Sequence, residues 1–292
     1  MKKKIRNIVL GMLSDRFAIR LFYFWKFGKF PDLKNPKTLN EKIQWLKLHD
    51  RSELHTICAD KLAVREYVEK KIGGDYLIPL VYKTDNVQDL SLNVLPEYPV
   101  IIKSNHNSGD YFIIRDTHSV DIKYLKKRFS KSLKTSYYKS SKEWQYRDIK
   151  PHILIEKLLL TRDGEIPEDY KVHCFNGKPV MVQIDINRGK INHARNWYTT
   201  NWERMPFKWS SKYKGRYTDP VDEDVQRPDG LDQMLKLSEI LAEEFIYSRI
   251  DFYFLDGKIY FGEITFHHDG GFACFKPKEY DTILGKQLNI YK

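Results

Sequence analysis

Cysteine is scarce in this sequence, and its positions exclude two classes of small stabilised fold. Only Cys58, Cys174 and Cys274 occur among 292 residues, far apart and odd in number. They form neither a CxxC pair nor a zinc-ligand spacing, so neither a disulfide framework nor a zinc module is expected. A reduced, cytoplasmic protein is the simpler interpretation.

A long hydrophobic run is also absent. No stretch of about 18 uncharged apolar residues occurs, which argues against a membrane span. Basic residues at 2–6 precede a short apolar stretch at 8–13 that lacks a small-residue cleavage site. Basic and aromatic residues then alternate between residues 16 and 29. This segment predicts either peripheral contact with the anionic inner face of a membrane or an N-terminal helix packed on the core.

Internal repeats, low-complexity tracts and Pro/Gly/Ser-rich linkers are missing as well. The composition is 41% hydrophobic with 16 Phe, 19 Tyr and 6 Trp, which is typical of a folded globular protein. The formal net charge of +11 indicates an anionic partner, namely a nucleotide, an acidic polymer, nucleic acid or a membrane surface. Charge alone does not choose among these partners.

What is present is a mixed order of helices, short strands and hairpins. Thr38–Glu41 reads as a capping box that opens a helix. Further helices are expected at 60–71, within 121–149 and at 231–247, strands at 76–82, 99–103, 111–115 and 153–159, and long loops at 187–230. The order predicts an α+β fold with antiparallel sheets.

The clearest local signal is a pair of hairpins with Asx-Gly turns. Residues 249–254 and 260–266 are apolar strands on either side of Asp256-Gly257, and residues 169–175 and 178–186 flank Asn176-Gly177 in the same way. An Asp-Gly or Asn-Gly pair between two apolar runs is the strongest short hairpin signal. Two hairpins are therefore predicted, with their turns at these two pairs of residues.

Charged side chains of the C-terminal hairpin are placed to act together. Arg249 and Asp251 are two residues apart and share one face of the first strand, as Glu263 and Thr265 share a face of the second. Carboxylates, a hydroxyl and an arginine on one face suit Mg²⁺ and a phosphoryl group. An ordinary hairpin with a salt bridge on its solvated face is the alternative.

A lysine and a polar loop form a second candidate site. Lys103 ends a short buried strand, and residues 104–110 follow as a Ser/Asn/Gly loop. Loop N–H groups and a lysine can hold phosphate oxygens, although the GxxxxGK[ST] pattern of the Walker A loop is absent. A polar surface loop would look similar.

Two further segments carry polar groups in unusual places. Glu156 lies in an otherwise apolar strand, where it could bond an adenine amine and a ribose, or form an edge-strand salt bridge. His267 and His268 precede Asp269-Gly270-Gly271, and adjacent histidines on a strand point to opposite faces. We interpret them as substrate or phosphate contacts beside a mobile Gly-Gly lid, with a polar turn as the alternative.

The order of these segments resembles the ATP-grasp superfamily, and most closely its TupA-like branch, named for teichuronopeptide biosynthesis. The series along the chain is Asp60-Lys61, Lys103 with its loop, Glu156-Lys157-Leu158-Leu159, Asp169-Tyr170-Lys171, Arg249-x-Asp251 and Glu263-x-Thr265. The stretches at 39–46, 76–80, 143–146 and 260–266 also resemble that family. The likeness extends from about residue 30 to the C-terminus.

The resemblance implies a fold, a domain arrangement and a role for individual residues. The expected fold is α+β, with two antiparallel-sheet lobes clasping ATP after a basic, aromatic helical segment at 1–55. The catalytic region would span 56–292, with a small lobe at about 95–155 and a large lobe at about 156–292. Thr265 stands where many ATP-grasp enzymes carry Asn, and a hydroxyl is a weaker ligand than an amide carbonyl.

The implied site residues fall into three groups. The nucleotide would be held by Lys61, Lys103, Ser104, Asn105, Ser108, Gly109, Glu156, Lys157, Leu158 and Leu159. Mg²⁺ would be held by Asp251, Glu263 and Thr265. Catalysis would involve Arg249, Lys171, His267 and His268.

The resemblance further implies an ATP- and Mg²⁺-dependent carboxylate–amine ligase. The expected substrates are an acidic sugar or polysaccharide precursor, such as a uronic acid, and an amino acid or peptide amine; no nucleic-acid partner is expected. A glycosyltransferase of the same pathway is one alternative, although Asp222-Glu223-Asp224 lies in a polar loop and not at a strand end. A non-catalytic binder of anionic polymers is the other.

Overall fold

The protein forms two compact units in a computed structural model that describes residues 13–188 and 190–291. Unit 1 contains Met1–Arg51 and Pro167–Lys292, and unit 2 contains Ser52–Ile166. The boundaries proposed from the sequence, at residue 55 and near residue 155, stay a prediction. The expectations for the basic start of the chain, at residues 2–12, lie outside the described residues.

Eight α-helices lie within the described residues. They are α1 (Asp15–Phe27), α2 (Leu39–His49), α3 (Glu53–Ala59), α4 (Val64–Ile72), α5 (Ile122–Leu133), α6 (Tyr137–Ser141), α7 (Leu231–Ala242) and α8 (Glu279–Gln287). None of these helices is both long and apolar enough to cross a bilayer.

Thirteen strands accompany these helices in the described part of the chain. They are β1 (Leu80–Thr84), β2 (Val100–Ser104), β3 (Tyr111–Ile114), β4 (Ile153–Lys157), β5 (Asp169–Phe175), β6 (Lys178–Ile186), β7 (Ala194–Thr199), β8 (Lys208–Ser210), β9 (Lys212–Tyr213), β10 (Arg216–Tyr217), β11 (Tyr247–Leu255), β12 (Lys258–Thr265) and β13 (Cys274–Lys276). Every strand pair is antiparallel, which confirms the α+β prediction.

Unit 2 is built on a four-stranded sheet with the order β1-β4-β2-β3. The register places Lys103 opposite Leu154 and Ile101 opposite Glu156. The hydrophobic residues of β2 and β4 pack against Leu125 and Phe129 of α5, and both of these side chains are buried. Removing these side chains from water is the main force that holds the sheet and helix together.

Unit 1 is built on a five-stranded sheet with the order β12-β11-β5-β6-β7. Both predicted Asx-Gly turns are confirmed. Asn176 and Gly177 have φ values of 50° and 80°, and Asp256 and Gly257 have φ values of 49° and 75°. Positive φ at both central residues is what a two-residue type I′ hairpin turn requires, and Asn, Asp and Gly adopt it most easily.

The core of unit 1 joins this sheet to α2. The predicted capping box is confirmed, because the Thr38 side chain accepts from the Glu41 N–H while the Glu41 carboxylate accepts from the Thr38 N–H. Leu39 and Ile43 of helix α2 then pack in a buried cluster with Trp197 and Trp209. The cap fixes where the helix begins, and its apolar residues fix which side faces the core.

The prediction of long loops at 187–230 is wrong. Strand β7 pairs with β6 along its whole length, with Asp185 opposite Arg195, and β8, β9 and β10 form two small sheets further on. These strands are short and rich in charged side chains, so they lack the apolar alternation that predicts strands. Their partners along the chain, β6 and β13, are what stabilise β7 and β8.

Two helix boundaries also differ from the sequence patterns. Helix α7 ends at Ala242, and Tyr247 begins β11 opposite Phe175. The apolar spacing continues to Phe245 because that side chain is buried beyond the helix end. Helix α4 begins at Val64 because Asp60 first forms a turn, with its carboxylate accepting from the Leu62 N–H.

Candidate functional site

One face of the five-stranded sheet of unit 1 carries a row of charged side chains. Asp251 of β11 lies opposite Glu263 of β12 on one side and Lys171 of β5 on the other. Arg249 lies opposite Thr265. Because alternate residues of a strand share a face, the predicted grouping of these side chains on one face is confirmed.

The three predicted magnesium ligands converge on a single atom. The Arg249 Nη2 donates to Asp251 Oδ2 at 2.6 Å, to Glu263 Oε1 at 3.1 Å and to Thr265 Oγ1 at 3.1 Å. The Glu263 side chain is 37% exposed, whereas that of Asp251 is 3% exposed. Three oxygens around one positive group, two of them from partly exposed side chains, form a donor set that fits a hard cation.

Protein ligands alone would not complete such a site. Among residues 13–188 and 190–291, no group of three or more His, Cys, Asp or Glu side chains could hold a metal ion. Mg²⁺ is commonly held by one or two carboxylates, with substrate phosphates and water completing its shell. Asp251 and Glu263 match that requirement, and Arg249 would have to give up its bonds to them.

Arg249 is itself buried and almost fully engaged. Its Nε donates to Asp251 Oδ1 at 2.7 Å, and its Nη1 lies 2.9 Å from His268 Nδ1. Burial lowers the pKa of His268 to about 3, so the ring is neutral and its Nδ1 accepts from the guanidinium. The sequence did not predict that His268 positions Arg249 in this way.

Lys171 occupies the centre of a group of three carboxylates. Its Nζ donates to Asp169 and to Asp251, the latter at 3.0 Å, and lies 3.6 Å from Asp185. The Lys171 side chain is only 3% exposed. A buried ammonium among carboxylates is expensive to desolvate and is stable only while those partners remain.

The charge cluster continues onto β6 and β7. Burial opposes ionisation of Asp185, but Lys171, His193 and Arg195 outweigh it and hold the pKa of that carboxyl well below its usual range. Arg195 also bonds Asp269, with Nη1 2.5 Å from Oδ2. These ion pairs link the cluster to the segment that follows β12.

The predicted mobile Gly-Gly lid is wrong. Gln44 donates to the carbonyl oxygens of Gly270 and Gly271 at 2.8 and 2.9 Å, and Lys47 donates to Gly270 O at 2.7 Å. His268 is fully buried and His267 is 5% exposed. The segment is thus tied to α2, and the predicted substrate contacts of both histidines stay a prediction.

Unit 2 holds the predicted nucleotide-binding residues around one buried carboxylate. Glu156 is 3% exposed; its Oε2 lies 2.6 Å from Lys103 Nζ and its Oε1 lies 3.4 Å from Arg65 Nη1. Two basic side chains for one carboxylate leave a local excess of positive charge. The contact of Arg65, a residue of α4, with Glu156 was not predicted, because nothing in the sequence around Arg65 indicates it.

The loop after β2 has a fixed base and an exposed tip. Asn105 is fully buried, donates to Asp60 and to the Lys150 carbonyl, and accepts from the His152 N–H at 2.6 Å. Ser104 is likewise buried, whereas Ser108 and Gly109 are exposed. The tip therefore presents backbone and a hydroxyl, while the side chains at the base hold its shape.

Several residues predicted to bind the nucleotide already form hydrogen bonds within unit 2. Lys61 Nζ donates to Asn107 O at 2.7 Å, and its backbone N–H donates to Asn105 O. The N–H groups of Lys157 and Leu158 donate to Pro79 O and Pro99 O, both at 3.0 Å. Both N–H groups are therefore already paired within unit 2.

Sequence reasoning missed several members of the buried charge cluster. Asp169, Asp185, Arg188, Arg195 and Asp269 all pair within it. A usable signal existed in the second hairpin, where Asp169, Lys171 and His173 alternate along β5 and Gln183 and Asp185 alternate along β6. Polar groups repeated every second residue on two paired strands mark one shared face.

The acidic triplet that a glycosyltransferase could have used is not part of this face. Asp222, Glu223 and Asp224 lie in a segment without helix or strand. Arg204 bonds the Asp222 and Glu223 carbonyls and the Asp224 carboxylate. Their oxygens stabilise a loop.

Comparisons with known proteins give a family and a set of distant structural likenesses. A family model described as TupA-like ATPgrasp matches residues 41–289. No curated protein matches the chain.

The solved structures that resemble the chain include ligases. D-alanine–D-alanine ligase from Bacillus anthracis complexed with ATP is 17% identical over 72% of this chain and 53% of its own, with a TM-score of 0.42. An ADP complex of purK, N5-carboxyaminoimidazole ribonucleotide synthetase, is 15% identical over 87% of this chain and 57% of its own, with a TM-score of 0.48. The ATP-grasp ligase PsnB complexed with minimal precursor, Mg and ADP is 12% identical over 86% and 65%, with a TM-score of 0.43.

The chain thus spans between 53% and 65% of the length of these three structures. At identities and TM-scores this low, the likenesses transfer no activity, substrate or partner to this chain.

Proposed function

Because the chain belongs to the TupA-like ATP-grasp family, whose model spans residues 41–289, we propose that it is an ATP- and Mg²⁺-dependent carboxylate–amine ligase. Family membership confirms the predicted α+β ATP-grasp fold. The observation that carries the proposal is the convergence of Asp251, Glu263 and Thr265 oxygens on Arg249 Nη2. That cluster offers metal ligands and a fixed positive charge at one position.

The proposed reaction has two steps. A substrate carboxylate oxygen attacks the γ-phosphorus of ATP, and the bond to the β,γ-bridging oxygen breaks to release ADP. The nitrogen of a neutral amine then attacks the carbonyl carbon of the acyl phosphate, phosphate leaves, and the nitrogen loses a proton to give the amide. Phosphoryl transfer of this kind depends on positioning and charge neutralisation more than on covalent work by the protein.

Unit 1 would supply the groups that neutralise the transferred phosphoryl group. Asp251, Glu263 and Thr265 would hold Mg²⁺, which supplies Lewis-acid stabilisation of the phosphate oxygens. Arg249 would stabilise charge on the phosphoryl group or on the later oxyanion, held in place by His268. Lys171 donates a hydrogen bond to Asp251 and so fixes the position of that carboxylate.

Unit 2 would supply the nucleotide contacts. The exposed Ser108-Gly109 tip would contact phosphate oxygens through backbone N–H groups, with Lys61 and Lys103 as point charges. Glu156, Lys157, Leu158 and Leu159 would contact adenine and ribose. The side chains of Ser104 and Asn105, both buried, would shape the loop.

A basic and aromatic hairpin supports an acidic sugar as the carboxylate substrate. Strands β9 and β10 present Lys212 and Arg216 as exposed side chains, and Tyr217 is 48% exposed. The Tyr213 ring packs at 5.1 Å on His193, whose Nε2 lies 3.4 Å from Asp185 of the charge cluster. Tyrosine rings with basic side chains suit the apolar face and the carboxylate of a uronic acid.

We further propose that the amine is an amino acid or peptide and that the product belongs to a cell-surface polysaccharide or its precursor. The three cysteines form no disulfide in the described structure, which supports work in the cytoplasm.

Calorimetry with a non-hydrolysable ATP analogue, with and without Mg²⁺, tests the proposal without knowledge of the acceptor. We expect Mg²⁺-dependent binding by the unmodified protein and its loss in Glu263→Gln, which removes one carboxylate charge. Once a substrate is known, turnover of this variant should fall by about 100-fold or more. The matched control is Glu279→Gln, an exposed glutamate of α8 outside the cluster.

Equal binding by Glu263→Gln and the unmodified protein would contradict the metal assignment. Nucleotide-sugar binding without ATP binding would favour a glycosyltransferase instead. Binding of anionic polymers but not of ATP, without any need for metal, would indicate a non-catalytic binding protein.

The substrate assignment needs a separate test. Uronic acids and neutral sugars should be compared for ATP-dependent formation of a hydroxamate when hydroxylamine traps the acyl phosphate. We expect signal from uronic acids and a higher KM for a Lys212→Ser/Arg216→Ser variant. ATP binding that persists while every uronic acid fails would overturn the substrate and keep the ligase.

A further inference from the structure

Helix α1 exposes an unusual set of large aromatic side chains. Phe17 is 57% exposed, Trp25 54% and Phe24 40%, and Phe30 just beyond the helix is 53% exposed. Phe17 and Phe24 are seven residues apart and therefore lie on one side of the helix. Grouped aromatic exposure of this kind marks an interaction site more often than scattered single residues do.

The opposite side of the same helix is anchored in unit 1. Ala18, Ile19 and Tyr23 are at most 1% exposed. The helix begins at a Ser14 cap, whose side chain accepts from the Phe17 N–H, and ends at Gly28 with a φ of 73°. The exposure of the aromatic side chains is thus a property of a docked, capped helix and not of a frayed end.

Basic side chains surround these aromatic residues. Arg16, Arg20 and, just beyond the helix, Lys29 are all exposed, and Lys29 lies 3.8 Å from Glu41. Arg20 lies over the Phe30 ring at 5.3 Å, and Phe24 stacks on the same ring at 4.8 Å. The acidic residue of the helix, Asp15, is paired with Arg51 at 2.9 Å. The surface defined by these aromatic and basic residues, the aromatic–basic face, is therefore positive.

We propose that the aromatic–basic face binds the surface of an anionic phospholipid membrane, with α1 lying in the plane of the interface. Aromatic rings partition into the headgroup region, while arginine and lysine attract anionic lipids. Charge complementarity favours this occupant over a neutral or basic protein surface. The inference is independent of the proposed ligase chemistry.

Sedimentation with vesicles tests the proposal on the full chain. Vesicles of phosphatidylcholine alone are compared with vesicles that also contain phosphatidylserine, at low and at high salt. We expect binding only to the anionic vesicles and weaker binding at high salt, because exposed charges are screened.

Two variants separate the aromatic from the electrostatic contribution. Phe17→Ser/Trp25→Ser should lower the partition coefficient by at least tenfold, because two large apolar side chains no longer enter the interface. Arg16→Gln/Arg20→Gln should lower it by about fivefold for each charge removed.

Matched controls change the same kinds of residue elsewhere. Leu92→Ser/Tyr124→Ser removes two exposed apolar side chains, 51% and 47% exposed, from unit 2. Lys70→Gln/Lys83→Gln removes two exposed charges from unit 2. Both controls should bind anionic vesicles nearly as the unmodified protein does.

Three results would overturn the proposal. The first is absence of binding to anionic vesicles. The second is equal loss in the α1 variants and their controls, which would indicate a general charge effect. The third is a dimer in solution that Phe17→Ser/Trp25→Ser converts to a monomer, which would make a second copy the occupant. The circular-dichroism melting curve of each variant confirms that it is folded.

Discussion

The charge cluster of unit 1 and the loop after β2 in unit 2 contain similar charged residues, but these residues differ in burial and in pairing. In unit 1 the charged side chains of Lys171, Arg249 and Asp251 are buried and bonded to one another. In unit 2 the loop tip at Ser108-Gly109 is exposed, and Lys103 has one carboxylate partner, Glu156.

Each arrangement suits a different role. A buried network of ion pairs is rigid because each charge depends on its partners, so it suits metal and phosphoryl charge at a fixed position. An exposed loop with a fixed base can adjust to a ligand and wrap phosphate oxygens with backbone N–H groups. If this distinction holds, substitutions in the buried network of unit 1 destabilise the protein far more than substitutions at the loop tip of unit 2.

The largest effect is expected from Lys171→Met. Removal of the Lys171 ammonium group leaves Asp169, Asp185 and Asp251 buried with one cation fewer. Breaking a buried ion-pair group in this way lowers the free energy of unfolding by about 3–5 kcal/mol. Equilibrium unfolding in urea measures the change. The control is Lys178→Met, whose side chain is 72% exposed and pairs with Glu239, and an exposed pair contributes at most about 1 kcal/mol.

Similar losses for Lys171→Met and Lys178→Met would show that the buried network does not stabilise unit 1. Should Lys171→Met fail to fold, Lys171→Arg keeps the charge and should retain most of the stability.

An intermediate loss of stability is expected when a glycine with positive φ is replaced by alanine, and each of the two regions contains one such glycine. Gly271 has a φ of 70°, and an added Cβ would approach Ile43 Cγ2 at 2.9 Å and also meet the Gln44 side chain. Gly109 has a φ of 74° but no heavy atom within 4 Å of an added Cβ. Gly109→Ala should therefore cost only the backbone strain of about 1–2 kcal/mol.

Gly271→Ala adds overpacking of about 1–3 kcal/mol to the same strain. Thermal unfolding monitored by circular dichroism compares the two variants. A Gly271→Ala variant as stable as Gly109→Ala would mean that the segment after β12 is not held against α2.

The smallest effect is a pH dependence from buried histidine. The pKa of His268 falls from 6.5 to about 3 on burial, so the unfolded chain binds more protons in this interval. The contribution to stability is therefore complete above about pH 6.5 and is lost as pH falls towards about 3. Between about pH 7 and about pH 5.5 the loss should reach about 1 kcal/mol.

Urea unfolding at a series of pH values measures this slope for the unmodified protein and for His268→Gln, whose amide oxygen can still accept from Arg249. We expect a shallower slope in the variant. His173, whose pKa burial also places well below its ordinary value, contributes in the same direction in both proteins. Identical slopes would show that His268 is not held neutral in the fold.

Much of the site could be predicted, but its internal partners could not. Arg249, Asp251, Glu263 and Thr265 were grouped correctly because the Asp256-Gly257 turn fixes the register of one hairpin. Asp185 lies in a predicted strand, but its partner Arg195 was missed because β7 lies in a segment without apolar alternation. The tie between Gln44 and the Gly270-Gly271 carbonyls joins residues more than two hundred positions apart, for which a single sequence contains no signal.

Residues close together along the chain specify the local geometry of this protein. Turn chemistry at Asn176-Gly177 and Asp256-Gly257 and the capping box at Thr38 specify two hairpins and a helix start, because each depends on residues a few positions apart. The burial and pairing of the charged side chains, in contrast, depend on the tertiary structure. Lys171, Arg249 and His268 acquire their roles from partners on other strands, since burial and the distance to opposite charges depend on how the strands assemble.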